Sequence, residues 1–188
     1  IFSNFSTSFE MPTLYELTNN PNGPGFNPDL SPEKSWQVEL GHRFDNKTNF
    51  NIHTSIFYIN ISDQIVSYEL PDTPGRSFYR NATTTSRTGI ENAISFIPKK
   101  RWLIEFNYTF SDFKYGRFIS GNVDFTGNYQ TLIPKHKLQL NFIVPFGKII
   151  DSQFNFGYNA EMWLDDANSQ KSASYGDINF LVQTNEQF

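Results

Sequence analysis

A chain of 188 residues in which 20 Phe, 9 Tyr and 3 Trp bring aromatics to 17%, while charged residues stop at 18%, is neither disordered nor collagen-like. It has no cysteine, so disulfide and zinc-thiolate scaffolds are excluded. Net charge is -4 and the basic residues are scattered apart from Lys99, Lys100 and Arg101, which leaves no electrostatic footprint for nucleic acid.

The main signal is alternation with period two, which places successive side chains on opposite faces of a strand. It predicts eight strands, over residues 1–9, 35–44, 50–67, 78–96, 102–113, 135–145, 149–164 and 175–183. In the second, Trp36, Val38, Leu40 and Phe44 face one way and Gln37, Glu39, Gly41 and Arg43 the other. The third changes phase near Phe57, Tyr58 and Ile59, as a β-bulge would produce. The fifth sets Trp102, Ile104, Phe106, Tyr108 and Phe110 against Glu105, Asn107 and Thr109, and the sixth sets Leu138, Leu140 and Phe142 against Gln139 and Asn141. The seventh sets Phe154, Phe156 and Tyr158 against Asn155, Gly157 and Glu161. Short turns at 45–49, 97–101 and 146–148 take turns with long connections at 10–34, 114–134 and 165–174. An up-and-down antiparallel sheet then carries its long loops at one end and its tight turns at the other.

The apolar face needs cover, and strand length points to lipid. A tilted membrane strand takes about 9–11 residues, against about 5–6 in soluble proteins. Aromatics cluster towards strand ends, where the girdles of membrane barrels lie. The opposite face holds Gln37, Glu39, Arg43, Glu91, Glu105, Gln139 and Glu161, each of which would need a partner in a dry core but not in a wet lumen. The fold predicted is all-β, an antiparallel up-and-down transmembrane β-barrel wall. The alternative is a small eight-stranded β-barrel or a β-sandwich serving as a binding or adhesion module. No helix-spanning run exists, since the longest apolar stretch covers 142–146.

Several segments carry a resemblance. Residues 8–17 (SFEMPTLYEL), 27–35 (NPDLSPEKS) and Glu39-Leu40-Gly41 are followed in order by 57–65 (FYINISDQI), Tyr79-Arg80-Asn81, 87–91 (RTGIE) and 133–138 (IPKHKL). Together they resemble TonB-dependent outer-membrane receptors over nearly the whole chain. The resemblance implies a barrel of about 22 strands whose lumen is filled by an N-terminal plug. It implies uptake of a scarce ligand, most often a ferric siderophore, across a bacterial outer membrane, driven by the TonB complex acting through that plug. The chain would be the C-terminal part of the barrel domain, spanning 1–188 with the plug absent, and Ile1 would lie inside a longer polypeptide. Met11 stands where that family often has a second proline, and the likeness fades after Tyr175 towards Asn185-Glu186-Gln187-Phe188. Partners implied are outer-membrane lipid, the plug, TonB and the ligand.

No Ser, His and Asp constellation or phosphate-cradling loop is present, so no enzyme, cofactor or catalytic residue is expected. His42, His53 and His136 lie in different strands, and a metal site is not expected; Asp165 and Asp166 form a loop pair able to meet a Ca²⁺ but more typical of a solvated turn. Pro12, Pro28 and Pro32 should stiffen the first long loop over the barrel mouth. Gly89 suggests a close backbone approach or a bend, and Arg87 and Glu91 should face the lumen and its plug. A ferric chelate is bulky, often anionic and partly aromatic, which suits Arg for charge and Tyr or Trp for flat contact area. Arg76, Tyr79, Arg80, Tyr115, Arg117, Tyr129 and Trp163 are the candidates at loop tips and upper lumen.

Overall fold

The computed structural model describes residues 1–70, 72–120 and 123–184; the terminal 185–188 segment singled out above lies outside them. The alternating segments form one antiparallel sheet: β1 (Phe2–Glu10), β2 (Glu33–Asp45), β3 (Phe50–Glu69), β4 (Ser77–Phe96), β5 (Leu103–Ser120), β6 (Val123–Asp124), β7 (His136–Phe146), β8 (Ile150–Asn159) and β9 (Tyr175–Thr184). Their order is β1-β2-β3-β4-β5-β7-β8-β9, with the short β6 paired to β5. Among the described residues β1 pairs only with β2 and β9 only with β8, so the sheet is an open arc of wall. Among the described residues the strands do not close on themselves and no second sheet covers the first, so neither alternative describes this topology.

The ladder register turns the alternation of single strands into rows that cross the sheet. Phe44, Ile52, Ile94, Phe106, Leu140, Phe156 and Ile178 stand side by side across seven strands. One residue along, the row reads Arg43, His53, Ala93, Asn107, Gln139, Gly157 and Asp177. A slip of one residue anywhere would interleave the two chemistries, so the polarity of the faces fixes the register. Among the described residues nothing packs against the apolar face. On β2, Trp36, Val38 and Leu40 are 40%, 44% and 56% exposed, while Gln37 and Glu39 between them are half-buried. Only Phe78, Phe118 and Ala160 are buried apolar residues among those described. The rings therefore do not gather into a dry interior.

The polar face is the crowded one. The Phe2 ring lies over Gly41 and the Phe57 ring over Gly89, so close that a Cβ would come within 2.2 Å and 2.3 Å of a ring carbon. A sheet curling towards its polar side needs such positions without a side chain. This corrects the reading of the third strand. Pairing runs unbroken from Asn51 to Ile61, and the register shift falls between Ile61 and Ile65, where Asp63 has φ 58°. Phe57 does sit on the polar face, but as the lid of Gly89, not as the mark of a bulge; at Gly89 the close neighbours are that ring and the Phe110 carbonyl oxygen.

Other boundaries differ for physical reasons. β5 runs seven residues past Phe113, because Tyr115 packs on Phe118 at 4.7 Å and Phe118 on Phe125 at 5.3 Å, and β6 folds back on its end. The extension carries its own register shift opposite Thr84 and Thr85. β8 stops at Asn159, not 164; Ala160 donates its N–H to His136 O, and the chain then turns into a hairpin in which Trp163 bridges Lys171. The first long connection contains a helix not foreseen, α1 (Leu14–Thr18), capped by Thr13 and Glu16 in a capping box. That connection is tied to β4: Asn27 Nδ2 donates to Tyr79 O at 3.3 Å, and Ser31 and Asn81 exchange bonds of 2.7 and 2.8 Å.

At the other end two tight turns are clasped together. Arg101, itself at φ 69°, donates from Nη1 to the Gly147 and Lys148 carbonyls, both at 3.1 Å, and from Nη2 to Ile150 O at 3.3 Å and Asp151 Oδ1 at 2.6 Å. The clasp joins the β4–β5 turn to the β7–β8 turn across a partly buried ion pair. Arg101→Ala should cost about 2 kcal/mol, the usual scale for charged hydrogen bonds, read as a lowered unfolding midpoint of the whole protein. Phe106→Arg, in the middle of the apolar row, should cost roughly 2–4 kcal/mol in a bilayer and block assembly. Asn107→Arg, one residue along on the polar row, should assemble normally; equal tolerance of the two in a membrane-assembly assay would remove lipid from the account.

Candidate functional site

Three segments that are far apart in sequence meet at the long-loop end. Residues 128–130 run beside β5, since Tyr115 N donates to Asn128 O at 2.9 Å and Gln130 N to Phe113 O at 3.0 Å. The segment after β8 joins them when Leu132 N donates to Trp163 O at 2.8 Å. Between them lies a cavity of about 360 Å³, lined among others by Phe113, Tyr129, Gln130, Lys135, Trp163 and Lys171. Its cations lie near aromatic rings. Lys171 Nζ is 4.5 Å from the Trp163 ring centre and Lys135 Nζ 5.6 Å from that of Tyr129, whose ring also has Lys114 Nζ at 5.0 Å. Such placements are worth about 0.5–1 kcal/mol each where exposed. Lys171 also pairs with Glu161.

The floor of the cavity leads to the polar face of the sheet. Gln130, buried, accepts a 3.0 Å bond from Arg87 Nε, and the Arg87 guanidinium lies 5.6 Å from the Phe113 ring centre. Phe113 in turn meets Phe57 edge-on at 6.3 Å. The side is closed by the 165–170 segment. Tyr115 Oη donates to Asp166 Oδ1 at 2.7 Å and Asn128 Nδ2 to Asp166 O at 2.8 Å. Asn168 accepts from Tyr129 N at 2.7 Å and donates to Tyr129 O at 3.0 Å. Hydrogen bonds from Ser169 hold the Asp165 carboxyl below the usual carboxylate range. Both aspartates thus serve the loop, and among the described residues no group of three or more metal-ligating side chains gathers.

The structure brings Tyr129 and Trp163 together and sets Tyr115 in the clasp beside them. Arg80 and Arg117 share a separate recess with Asp63 and Asn81, about 400 Å³ in volume. Arg80 is engaged there, donating to Ile119 O at 3.3 Å and Ser120 Oγ at 3.2 Å and lying 5.0 Å from the Tyr68 ring centre. Arg76 is exposed above the Phe78 ring, and Tyr79 packs edge-on against Tyr15 at 5.9 Å; neither lines the two recesses. Of the residues read as facing the lumen, Gln37, Glu39, Arg43, Arg87, Glu91, Glu105 and Gln139 fall on the polar face by register. Glu105 accepts from Asn141 at 2.8 Å and Arg43 lies over the Phe2 ring, while Glu161 has left the sheet to pair with Lys171. Sequence reasoning missed Gln130, Lys135, Lys171 and Asn168. Only Lys135 stood in a notable segment, and nothing in the spacing announces that residues 129 and 168 touch.

The chain matches the family model described as TonB dependent receptor-like, beta-barrel, over residues 1–185. It belongs to the TonB-dependent receptor family. Members are outer-membrane β-barrel receptors and transporters. Among curated proteins none matches the sequence. Solved structures that it resembles include the siderophore receptor PiuA from Acinetobacter baumannii, at 18% identity and TM-score 0.73, covering 98% of this chain and 27% of that one. The copper transporter OprC gives 14% identity and TM-score 0.74 over 98% of this chain and 28% of that one. BauA, the ferric preacinetobactin receptor of A. baumannii, gives 17% and 0.67 over 96% and 26%. The chain thus spans about a quarter of the length of these receptors. At such identities the likeness is one of fold, and the receptor's wall is what the likeness covers.

The depressed Asp165 carboxyl supplies a pH prediction. Because its folded pKa lies below the unfolded value, its contribution is present above the unfolded pKa of about 3.9 and is lost as pH falls through the folded value. Amide exchange at Ser169 should therefore accelerate, relative to the β-ladder, only below about pH 4; an Asp165→Asn receptor should show the faster exchange at neutral pH as well.

Proposed function

We propose that this chain is the C-terminal part of the barrel wall of an outer-membrane receptor that imports a scarce ligand, a ferric siderophore, with energy delivered by the TonB complex through a plug domain inside the barrel. The observation that carries the ligand reading is the cavity in which Lys135 and Lys171 flank the rings of Tyr129 and Trp163. The Lys135 ammonium, in no ion pair among the described residues, offsets the negative charge of a chelate, while Lys171 is balanced by Glu161, which also lines the cavity, and the flat rings give apolar area at little entropic cost. The cavity is smaller than a whole ferric chelate, so it suits one arm of the ligand, the bulk lying in the lumen above Arg87. Support also comes from the family and from the siderophore receptors among its structural neighbours. On this reading Arg87 and Glu91 meet the plug, while Arg80 and Arg117 in the second recess form a further ligand contact at the rim. Arg76 and Tyr79 take part through the loops that carry them.

The test uses the whole receptor. Lys135→Gln and Trp163→Ala combined should weaken ferric-siderophore binding about 5- to 30-fold, the sum of one charge contact and one aromatic contact at roughly 0.5–1 kcal/mol each. Binding is followed by fluorescence quenching and uptake by ⁵⁵Fe accumulation. Unchanged affinity across a panel of siderophores in that variant would remove the cavity from the site.

A further inference from the structure

We propose that the short-turn rim of this wall binds the headgroups of anionic phospholipids in the leaflet it faces. The chain is acidic overall, at -4, yet its three short turns with the strand ends beside them, 45–49, 97–101 and 147–151, carry Lys47, Lys99, Lys100, Arg101 and Lys148 against only Asp45 and Asp151. Positive charge has been concentrated at the end of a negatively charged molecule. Both acids are already occupied, Asp45 by Lys47 and Asp151 by Arg101. Lys99, Lys100 and Lys148 are exposed and form no ion pair among the described residues.

The Arg101 clasp makes these three a single patch. By binding the Gly147 and Lys148 carbonyls at 3.1 Å it holds the 97–101 and 147–149 turns side by side, so the turn that carries Lys148 adjoins the one that carries Lys99 and Lys100. The patch is continuous with the end of the apolar face. Phe146 and Ile149 are each 66% exposed, Ile97 is 41% exposed, and Lys99 Nζ is 6.0 Å from the Trp102 ring centre. Cations just beyond an exposed apolar strip match a lipid with acyl chains against the strip and a phosphate at its edge. A zwitterionic headgroup would leave the excess charge uncompensated. The inference requires only that the apolar face lies in a bilayer, and it is independent of which ligand the receptor takes.

A photocrosslinking amino acid in place of Phe146 in the full-length receptor, reconstituted with equal phosphatidylglycerol and phosphatidylcholine, reads the local lipid directly. A lysine near an anionic surface is worth about fivefold in affinity, so phosphatidylglycerol should be captured at least about fivefold more often. Lys99→Gln, Lys100→Gln and Lys148→Gln together should bring the ratio close to one, while Lys137→Gln, on β7 near the opposite end, should leave it unchanged. Equal capture of the two lipids by the unaltered lysines, or a preference that survives the triple replacement, overturns the proposal.

Discussion

An apolar face that none of the described residues covers governs this structure. Seven strands contribute to the row from Phe44 to Ile178, and the rings and branched chains on it point away from any second layer. In water such a face would be a large unsatisfied surface. In hydrocarbon it is the stable arrangement, and the backbone must then satisfy every polar group within the sheet. The long ladders of β3 and β4, twenty residues each, follow from that demand. So does the polar face, where side chains such as Glu105, Asn141, Gln153 and Asn155 bond to one another across β5, β7 and β8 and do not require a dry core.

Beyond the apolar rows the rules change. Water is available, so the chain can leave the ladder, and the register shifts at Ile61–Ile65 and opposite Thr84–Thr85 mark where it starts to do so. Order there depends on side-chain bonds between loops: Asn168 with Tyr129, Asp166 with Tyr115, Asn27 with Tyr79. The first two tie the connection after β5 and the strand end beside it to the connection after β8, next to the cavity, while the third ties the first long connection to β4. At the opposite end one arginine does the equivalent work for two tight turns.

Conserving a wall and conserving a ligand place different demands on sequence. Solved receptors at 14–18% identity share this wall, among them two siderophore receptors and a copper transporter. The wall needs only an apolar row beside a polar row in the right register, which many sequences provide. Ligand chemistry needs particular groups at particular distances, and in this chain those groups come from residues 113–135 and 161–171, outside most of the paired rows.

By itself the sequence determined the strands, their faces, the alternation of long and short connections and the kinship, because each is a periodic or contiguous pattern written along one stretch of chain. It located Tyr129 and Trp163 by chemistry but not as neighbours. Only the tertiary structure decided that Phe57 covers Gly89 without breaking the strand's phase, that β5 continues to Ser120, and that Arg101 clasps a turn some 46 residues away. Each of these is a contact between residues far apart in sequence, set by register and loop geometry, and one-dimensional periodicity carries no information about such pairs.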